Sequence, residues 1–245
     1  MPPAQGQKNK ARNGATENTL KARAKKFEHL DAAATALTRI LRRLDINHMF
    51  VGGYAASVLG GERVTEDVDV IVTKQCRDYI VKQPNFRLST DNRLIFCHNG
   101  TDVLIDVAHF DQDYGKDNFK TFPEPTRRRL IQVDIPERRF ELPLPVLHPR
   151  ILLLTKLAPW KESYFSTRSD AKMRSNTDLQ DIIVLLEWLR DRGLKVDFDT
   201  ANVKGKNTFV QALGHLFVQV EEARPLVAGV LDPFVLCDAI NKAKP

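Results

Sequence analysis

Residues 50–72 read FVGGYAASVLGGERVTEDVDVIV, and this stretch decides the fold. A short apolar run leads into the pair Gly52-Gly53, and a strand pattern follows at residues 67–72. Successive side chains of a strand point to opposite faces of a sheet, so Asp67 and Asp69 share one face and the valines share the other. The valines can enter a core, which leaves two carboxylates side by side on the opposite face.

The carboxylate pair and the glycine pair together indicate a site for a metal ion and a phosphate. Two carboxylates one strand repeat apart repel each other unless a cation offsets their charge, and hard oxygen ligands suit Mg²⁺ or Mn²⁺. Glycines between a strand and a helix let the backbone come close to a phosphate, because they lack a Cβ and a helix N-terminus favours an anion. Taken alone, each feature is more simply a solvated strand face or a tight turn.

In this order, the residues resemble the signature of the DNA polymerase β-like nucleotidyltransferase superfamily. That signature is an apolar residue, Gly, then Gly or Ser, a gap of roughly nine to thirteen residues, and Asp-apolar-Asp-apolar. Here thirteen residues separate Gly52-Gly53 from Asp67-Val68-Asp69-Val70. The preceding Arg63-Val64-Thr65 is similar to the Arg-x-Thr-x-Asp of AbiEii-type and related small nucleotidyltransferases.

The resemblance implies an enzyme that moves a nucleoside monophosphate from an NTP, such as ATP, to an acceptor hydroxyl and releases pyrophosphate. Asp67 and Asp69 would bridge two Mg²⁺ or Mn²⁺ ions, which stabilise the attacking and leaving oxygens. The backbone of the glycine pair would hold the triphosphate, and a basic side chain would neutralise it. The predicted nucleotide-binding residues before the first strand aspartate are Gly52, Gly53, Arg63 and Thr65.

A second strand that carries carboxylates follows a β-hairpin signal. Residues 93–98 and 101–108 are joined by Asn99-Gly100, a dipeptide that suits a type I′ turn. The superfamily places a third carboxylate on a later strand beside the aspartate pair, and we expect Asp106, in mid-strand, to be this catalytic and metal-binding residue. Asp102 is next to the turn and is expected to be solvated. The alternative for Asp106 is an edge-strand residue that caps a loop.

The second half of the chain is predicted to be helical, with helices at 150–157 and 176–190 and two or three more after them. A lysine in an apolar helix, followed by an Asp-Leu-x-Asp-Ile helix, also resembles the C-terminal half of these enzymes, where such a lysine reaches the triphosphate. Lys156 has this nucleotide-binding role in one interpretation. In the other, its stem packs and its amine pairs with Asp178 or Asp181.

The predicted fold class is α/β (α+β), with a small mixed β-sheet, helices on one face and a helical region after it. We expect a disordered basic tail at 1–19, a nucleotidyltransferase core at 20–145 and a helical C-terminal region at 146–245. A helix at about 19–44 opens the core, because apolar residues recur there every three or four positions.

Four further segments complete the prediction. Residues 74–83 are expected to form a helix that Pro84 stops. Residues 109–129 are read as a loop, and short strands are expected at 130–134 and 138–142. Residues 161–175 are read as a polar loop between two helices.

The net charge of +6 is concentrated at one end of the chain. Residues 1–26 carry seven Lys or Arg side chains against one Glu, so the remainder of the 245 residues is neutral. A neutral body argues against a long nucleic-acid footprint, although the basic tail could contact RNA or act as a nuclear address. The acceptor is left open among RNA, another protein and small hydroxyl compounds, and no pattern indicates an oligomeric state.

The sequence also carries expectations about location and alternatives. No apolar run has the length of a membrane span, no signal peptide is recognised, and three widely spaced cysteines suggest free thiols without a zinc site. We therefore expect an intracellular protein, cytoplasmic or nuclear. Two alternatives to an enzyme are a catalytically silent nucleotide-binding or interaction module and a partner in a toxin–antitoxin-like pair. The intact aspartate pair and Arg63 argue against a silent module, because a silent site is free to lose them.

Overall fold

The computed structural model describes residues 17–109, 130–133, 142–196, 198 and 203–243. The strands are β1 (His48–Val51), β2 (Asp67–Val72), β3 (Phe86–Leu88), β4 (Leu94–His98), β5 (Thr101–His109), β6 (Leu130–Val133) and β7 (Leu144–Leu147). The α-helices are α1 (Glu17–Arg43), α2 (Gly52–Val58), α3 (Arg77–Ile80), α4 (Pro149–Tyr164), α5 (Ser169–Asp191), α6 (Val203–Gln219), α7 (Arg224–Val230) and α8 (Pro233–Lys242). A short 3₁₀ turn at Glu221–Ala223 leads into α7.

The strands form one seven-stranded mixed sheet in the order β3-β4-β5-β2-β1-β7-β6. The pairs β2–β5 and β1–β7 are parallel, and the other pairs are antiparallel. The α/β fold class with a mixed sheet is therefore confirmed. The strand that carries the aspartate pair, β2, lies at the centre of the sheet.

The valine face of β2 is packed as the alternation predicts. Val68, Val70 and Val72 are almost completely buried, and α1 lies against β2, β4, β5 and β7. On α1 the predicted apolar stripe is buried, with Phe27 and Leu37 inaccessible to solvent. Burial of this stripe fixes α1 on the sheet and leaves the aspartates of β2 on the other face.

The predicted hairpin is also confirmed. His98 pairs with Thr101 across the turn, and Asn99 and Gly100 have φ angles of 50° and 78°. Both angles are positive, as a type I′ turn requires. The turn fixes the register of β4 on β5, and so determines which β5 residues extend beyond the start of β4.

Two strands were not predicted, and one predicted helix is too long. The helix expected at 74–83 is the four-residue α3, because the chain turns ahead of Pro84 and Asn85 takes a left-handed φ of 67° before β3. Strand β3 was not predicted at all. Strand β7 was also missed, since Pro145 lies within it and proline within an apolar run argues against a strand. This strand spans the expected boundary at 145/146.

The polar loop expected at 161–175 is wrong, because helices occupy most of it. Helix α4 continues through Pro159 to Tyr164, and α5 already begins at Ser169. The completely buried Trp160 holds α4 in the core just past the proline. The expected basic tail up to residue 16, the expected loop from residue 110 and most of the expected strand at 138–142 lie outside the described residues. In the part of the chain that the structure describes, no helix is long and apolar enough to cross a membrane.

Candidate active site

The sheet brings three carboxylates to one place. In the parallel pair β2–β5, Asp69 is directly opposite Asp106, and Asp67 is opposite Leu104. Residues opposite each other share a face, so Asp69 and Asp106 are neighbours and Asp67 lies one strand repeat away. Asp67 and Asp69 are partly buried, whereas Asp106 is exposed.

The ionised form of Asp69, at the centre of the cluster, is disfavoured. Burial, together with the charges of Asp67 and Asp106, raises the pKa of Asp69 from 3.8 to about 7, and Lys156 only partly opposes this. A group with such a pKa is ionised in only about half of the molecules near neutral pH. The three carboxylates therefore favour a cation between them.

The glycine turn packs directly against this cluster. Gly52 has a φ of +67°, and a Cβ at this position would lie 1.8 Å from Oδ2 of Asp69. Any side chain would therefore collide with the carboxylate and strain the backbone. Helix α2 begins here and has only seven residues, so its dipole is short. The groups that could hold a phosphate are therefore the backbone N–H groups of the turn.

The second glycine gives room to a guanidinium. A Cβ on Gly53 would lie 2.5 Å from Nη2 of Arg63 and 3.2 Å from Oγ1 of Thr65. Arg63 is thus stacked on the glycine turn, where a positive charge was predicted. Its Nε and Nη2 donate to Asp181 at 3.2 and 2.9 Å, a bidentate ion pair.

Thr65 lies behind the carboxylates. It is buried, and its hydroxyl donates to Oδ1 of Asp67 at 2.5 Å. This hydrogen bond orients the Asp67 carboxylate. The predicted nucleotide-binding residue therefore contacts a predicted metal ligand in this structure.

Lys156 takes the ion-paired alternative. Its Nζ lies 3.2 Å from Oδ1 of Asp178 and 2.9 Å from Oδ2 of Asp181, and the side chain is 14% exposed. Burial would lower the pKa of Lys156, but the charges of Asp181 and Asp178 outweigh it and raise the pKa, so the amine is charged. The same charge lowers the pKa of Asp69, so Lys156 acts on the carboxylate cluster from its edge.

Sequence reasoning missed the central role of Asp181. Its side chain, 4% exposed, bridges Arg63, from the segment between α2 and β2, and Lys156 from α4. The sequence pattern predicts Asp181 only as a possible partner of Lys156. The available signal was that Asp178 and Asp181 lie beside the buried Ile182 on α5, since buried carboxylates require cations.

A cavity next to the carboxylates was also not predicted. It has a volume of about 220 Å³ and is lined by Asp67 and Asp106 on one side. Arg77, Asn92 and Arg93 also line it, from the segments before and after β3. These three residues belong to no recognisable motif, so the sequence pattern does not indicate a cavity here.

The carboxylates have the right chemistry for a divalent cation. Among the described residues, no group of three or more His, Cys, Asp or Glu side chains is already converged on a metal position. The donor set is nevertheless all oxygen and anionic, which suits Mg²⁺ or Mn²⁺. Burial raises the pKa of Asp69 most, and the repulsion by Asp67 and Asp106, which such an ion would relieve, raises it further. Asp67, Asp69 and Asp106 thus fit a metal by charge and donor type.

The fold has a counterpart among solved structures. The crystal structure of an antigenic nucleotidyltransferase-like protein from Paracoccidioides brasiliensis matches with a TM-score of 0.63 and 15% identity, over 85% of this chain and 96% of that one. The solution structure of the antibiotic-resistance factor ANT(2'')-Ia gives a TM-score of 0.35 at 13% identity, over 72% of this chain and 94% of that one. ANT(2'')-Ia in complex with adenylyl-2''-tobramycin gives 0.37 at 12%, over 70% and 98%. The TM-scores of the two ANT(2'')-Ia structures are below 0.5, so neither establishes a shared fold.

No protein-family profile matches the sequence, and no curated protein is detectably similar to it. The comparison establishes the fold alone: this chain shares its fold with the nucleotidyltransferase-like protein from Paracoccidioides brasiliensis. The AbiEii-type subgroup remains a prediction from Arg63-Val64-Thr65.

Proposed function

We propose that this protein is a metal-dependent nucleotidyltransferase that moves a nucleoside monophosphate from an NTP to an acceptor hydroxyl. The observation that carries the proposal is the pairing of Asp69 with Asp106 across two parallel strands, with Gly52 pressed against Asp69. A solvated strand face does not need a left-handed glycine within contact distance of its carboxylate. A site that brings backbone, phosphate and metal ligands together does.

Asp67, Asp69 and Asp106 would hold the metal. Two bound Mg²⁺ or Mn²⁺ ions would stabilise the attacking and leaving oxygens of an in-line displacement at phosphorus. Thr65 keeps one Asp67 oxygen fixed, which reduces the freedom of that ligand. Asp106 is the exposed member, so it can accept the proton of an incoming hydroxyl.

The basic side chains beside the glycine turn support a triphosphate site. Arg63 rests on Gly53, and Lys156 is close enough to lower the pKa of Asp69. Asp181 fixes both cations before any nucleotide is present. This preorganisation would let the triphosphate meet two oriented positive charges, which it would share with Asp181.

The test is transfer of label from each α-labelled NTP in turn, with Mg²⁺ or Mn²⁺, to total RNA, to added protein, to this protein itself or to a small hydroxyl compound. Asp69→Asn should remove transfer while leaving the fold intact, because it keeps shape and removes the ligand charge. Asp102→Asn is the matched control, since Asp102 is an exposed β5 aspartate whose carboxylate pairs with Arg87. Its transfer should equal that of the unaltered protein.

Transfer that is lost in Asp69→Asn and kept in Asp102→Asn would support the proposal. Equal transfer by both variants would place the chemistry elsewhere. Metal-dependent NTP binding with no transfer to any acceptor would favour the silent module, and co-purification of a second protein would favour the toxin–antitoxin-like alternative.

A further inference from the structure

The cavity of about 220 Å³ lies on the opposite side of β2 from the glycine turn. The strand order β4-β5-β2-β1 puts β2 between the two. Gly52-Gly53 follow β1, whereas the cavity is lined from β5, from the start of β4 and from the segments that flank β3. The carboxylates are therefore shared by two sides, and the cavity belongs to the side that the triphosphate does not occupy in the proposed function.

The basic wall of this cavity is held in position. Arg77, at the start of α3, donates from Nη2 to the backbone oxygen of Asn92. A tight turn carries Asn92 and Arg93: the Ser89 N–H donates to the Arg93 oxygen at 2.8 Å, and the Arg93 N–H donates to the Ser89 hydroxyl at 2.9 Å. Arg93 itself is 60% exposed and pairs with Asp91 at 2.6 Å, so its guanidinium remains accessible.

The acidic wall consists of Asp67 and Asp106, and the lining is completed by the apolar residues Leu94, Leu104, Ile105 and Val107. A ligand of this cavity meets carboxylates at one wall and two guanidiniums at another. The carboxylates can take a hydroxyl hydrogen, and a guanidinium fork matches the oxygens of a phosphate. A cationic ligand would be repelled by both arginines, and a neutral ligand would make no ion pair with them.

We propose that this cavity binds the acceptor, and that the acceptor is a phosphate-bearing hydroxyl compound. Arg77 and Arg93 bind its phosphate, and its hydroxyl lies at Asp106. The cavity is smaller than the ~300–1,000 Å³ of sites for drug-sized ligands, so it takes one sugar phosphate or nucleotide unit. The transfer step rests on the proposed function, but phosphate binding at the two arginines does not.

The transfer forms one bond, breaks one bond and moves one proton. The hydroxyl oxygen of the acceptor forms the new bond to the α-phosphorus of the NTP. The bond from that phosphorus to the bridging oxygen breaks, and pyrophosphate leaves with the electron pair. The hydroxyl proton passes to Asp106.

The experiment is calorimetric titration with ribose 5-phosphate and, separately, with ribose, in the absence of NTP. The unaltered protein should bind ribose 5-phosphate well above ribose. Arg77→Ala and Arg93→Ala should each weaken binding of ribose 5-phosphate on the order of tenfold, as expected for a lost charge-assisted hydrogen bond. Arg93→Lys should fall between, since it keeps the charge and loses the fork.

Arg87→Ala is the matched control. Arg87 lies on the neighbouring β3, is similarly exposed and pairs with Asp102 outside the cavity, so its removal should leave the affinity unchanged. Undetectable binding of ribose 5-phosphate, binding no tighter than ribose, or binding unaffected by both arginine substitutions would overturn the proposal.

The two proposals fail separately. Label transfer that depends on Asp69, combined with an affinity for ribose 5-phosphate that ignores Arg77 and Arg93, would refute the acceptor site alone. Affinity that depends on the arginines, with no label transfer to RNA, protein or ribose 5-phosphate, would refute the proposed function and leave an anion site.

Discussion

Removing one carboxylate charge should make the metal-free protein more stable. Burial and two neighbouring carboxylates raise the pKa of Asp69 from 3.8 to about 7. At about 1.4 kcal/mol per pKa unit, ionised Asp69 costs the folded state up to about 4 kcal/mol. Asp69→Asn keeps the side-chain shape beside Gly52 and removes this cost, so it should raise the free energy of unfolding at about pH 8 by up to that amount.

The contribution of Asp69 to the free energy of unfolding becomes less favourable as the pH rises. Below pH 3.8 Asp69 is protonated in both states and costs nothing. Between 3.8 and about 7 the unfolded chain is ionised while the folded protein keeps its proton, so stability falls as pH rises. The difference between Asp69→Asn and the unaltered protein should therefore grow from near zero at about pH 4 to its full value above pH 7.

Urea unfolding in the presence of a chelator, repeated across this pH range, measures the difference directly. Asp102→Asn should show no comparable gain, because its carboxylate is exposed and paired with Arg87. Saturating Mg²⁺ should stabilise the unaltered protein at about pH 8 and Asp69→Asn much less. A difference curve that stays flat from pH 4 to 8 would refute the electrostatic reasoning.

Three further predictions concern the glycine turn, the buried ion pairs and a buried histidine. Gly52→Ala should abolish transfer and lower the free energy of unfolding by more than Gly193→Ala, because both have φ near +65° but a Cβ on Gly193 meets open space; urea unfolding of the pair isolates the collision. Asp181→Asn should cost about 3 kcal/mol in urea, since it leaves two cations underpaired, and should raise the KM for NTP. Burial lowers the pKa of His48 from 6.5 to about 4, so the unfolded chain takes up a proton first and the protein should lose about 3 kcal/mol of stability as the pH falls from 6.5 to 4. His48→Phe should reduce this loss in acid unfolding curves.

The local part of the fold was predictable from the sequence. The faces of β2, the hairpin at Asn99-Gly100 and the stripe of α1 follow from alternation, turn chemistry and helical spacing. Alternation also predicted that Asp106 would share a face with the aspartates of β2. It did not fix the register, which the parallel pairing of Asp69 with Asp106 supplies.

What was missed depends on packing or on distant contacts. Pro145 hid β7, because the general rule about proline in strands is overridden where neighbouring leucines and valine are fully buried. The helix expected at 150–157 is too short, because the buried Trp160 anchors a further turn of α4 in the core. The pairing of Arg63 with Asp181 joins positions 118 residues apart, and periodicity carries no information about such a partner.

This long separation has a consequence for synthesis of the protein. Residues 67–106, which hold all three carboxylates, leave the ribosome before α5, and β2 can pair with β5 as soon as they emerge. The anion that holds Arg63 and Lys156 arrives only with α5, 118 residues after Arg63 is made. A nascent chain therefore presents the acidic half of the site before the basic half is in place. The complete site is a product of the finished α4–α5 pair, so a stalled or truncated chain would carry an acidic cluster without its basic counterpart.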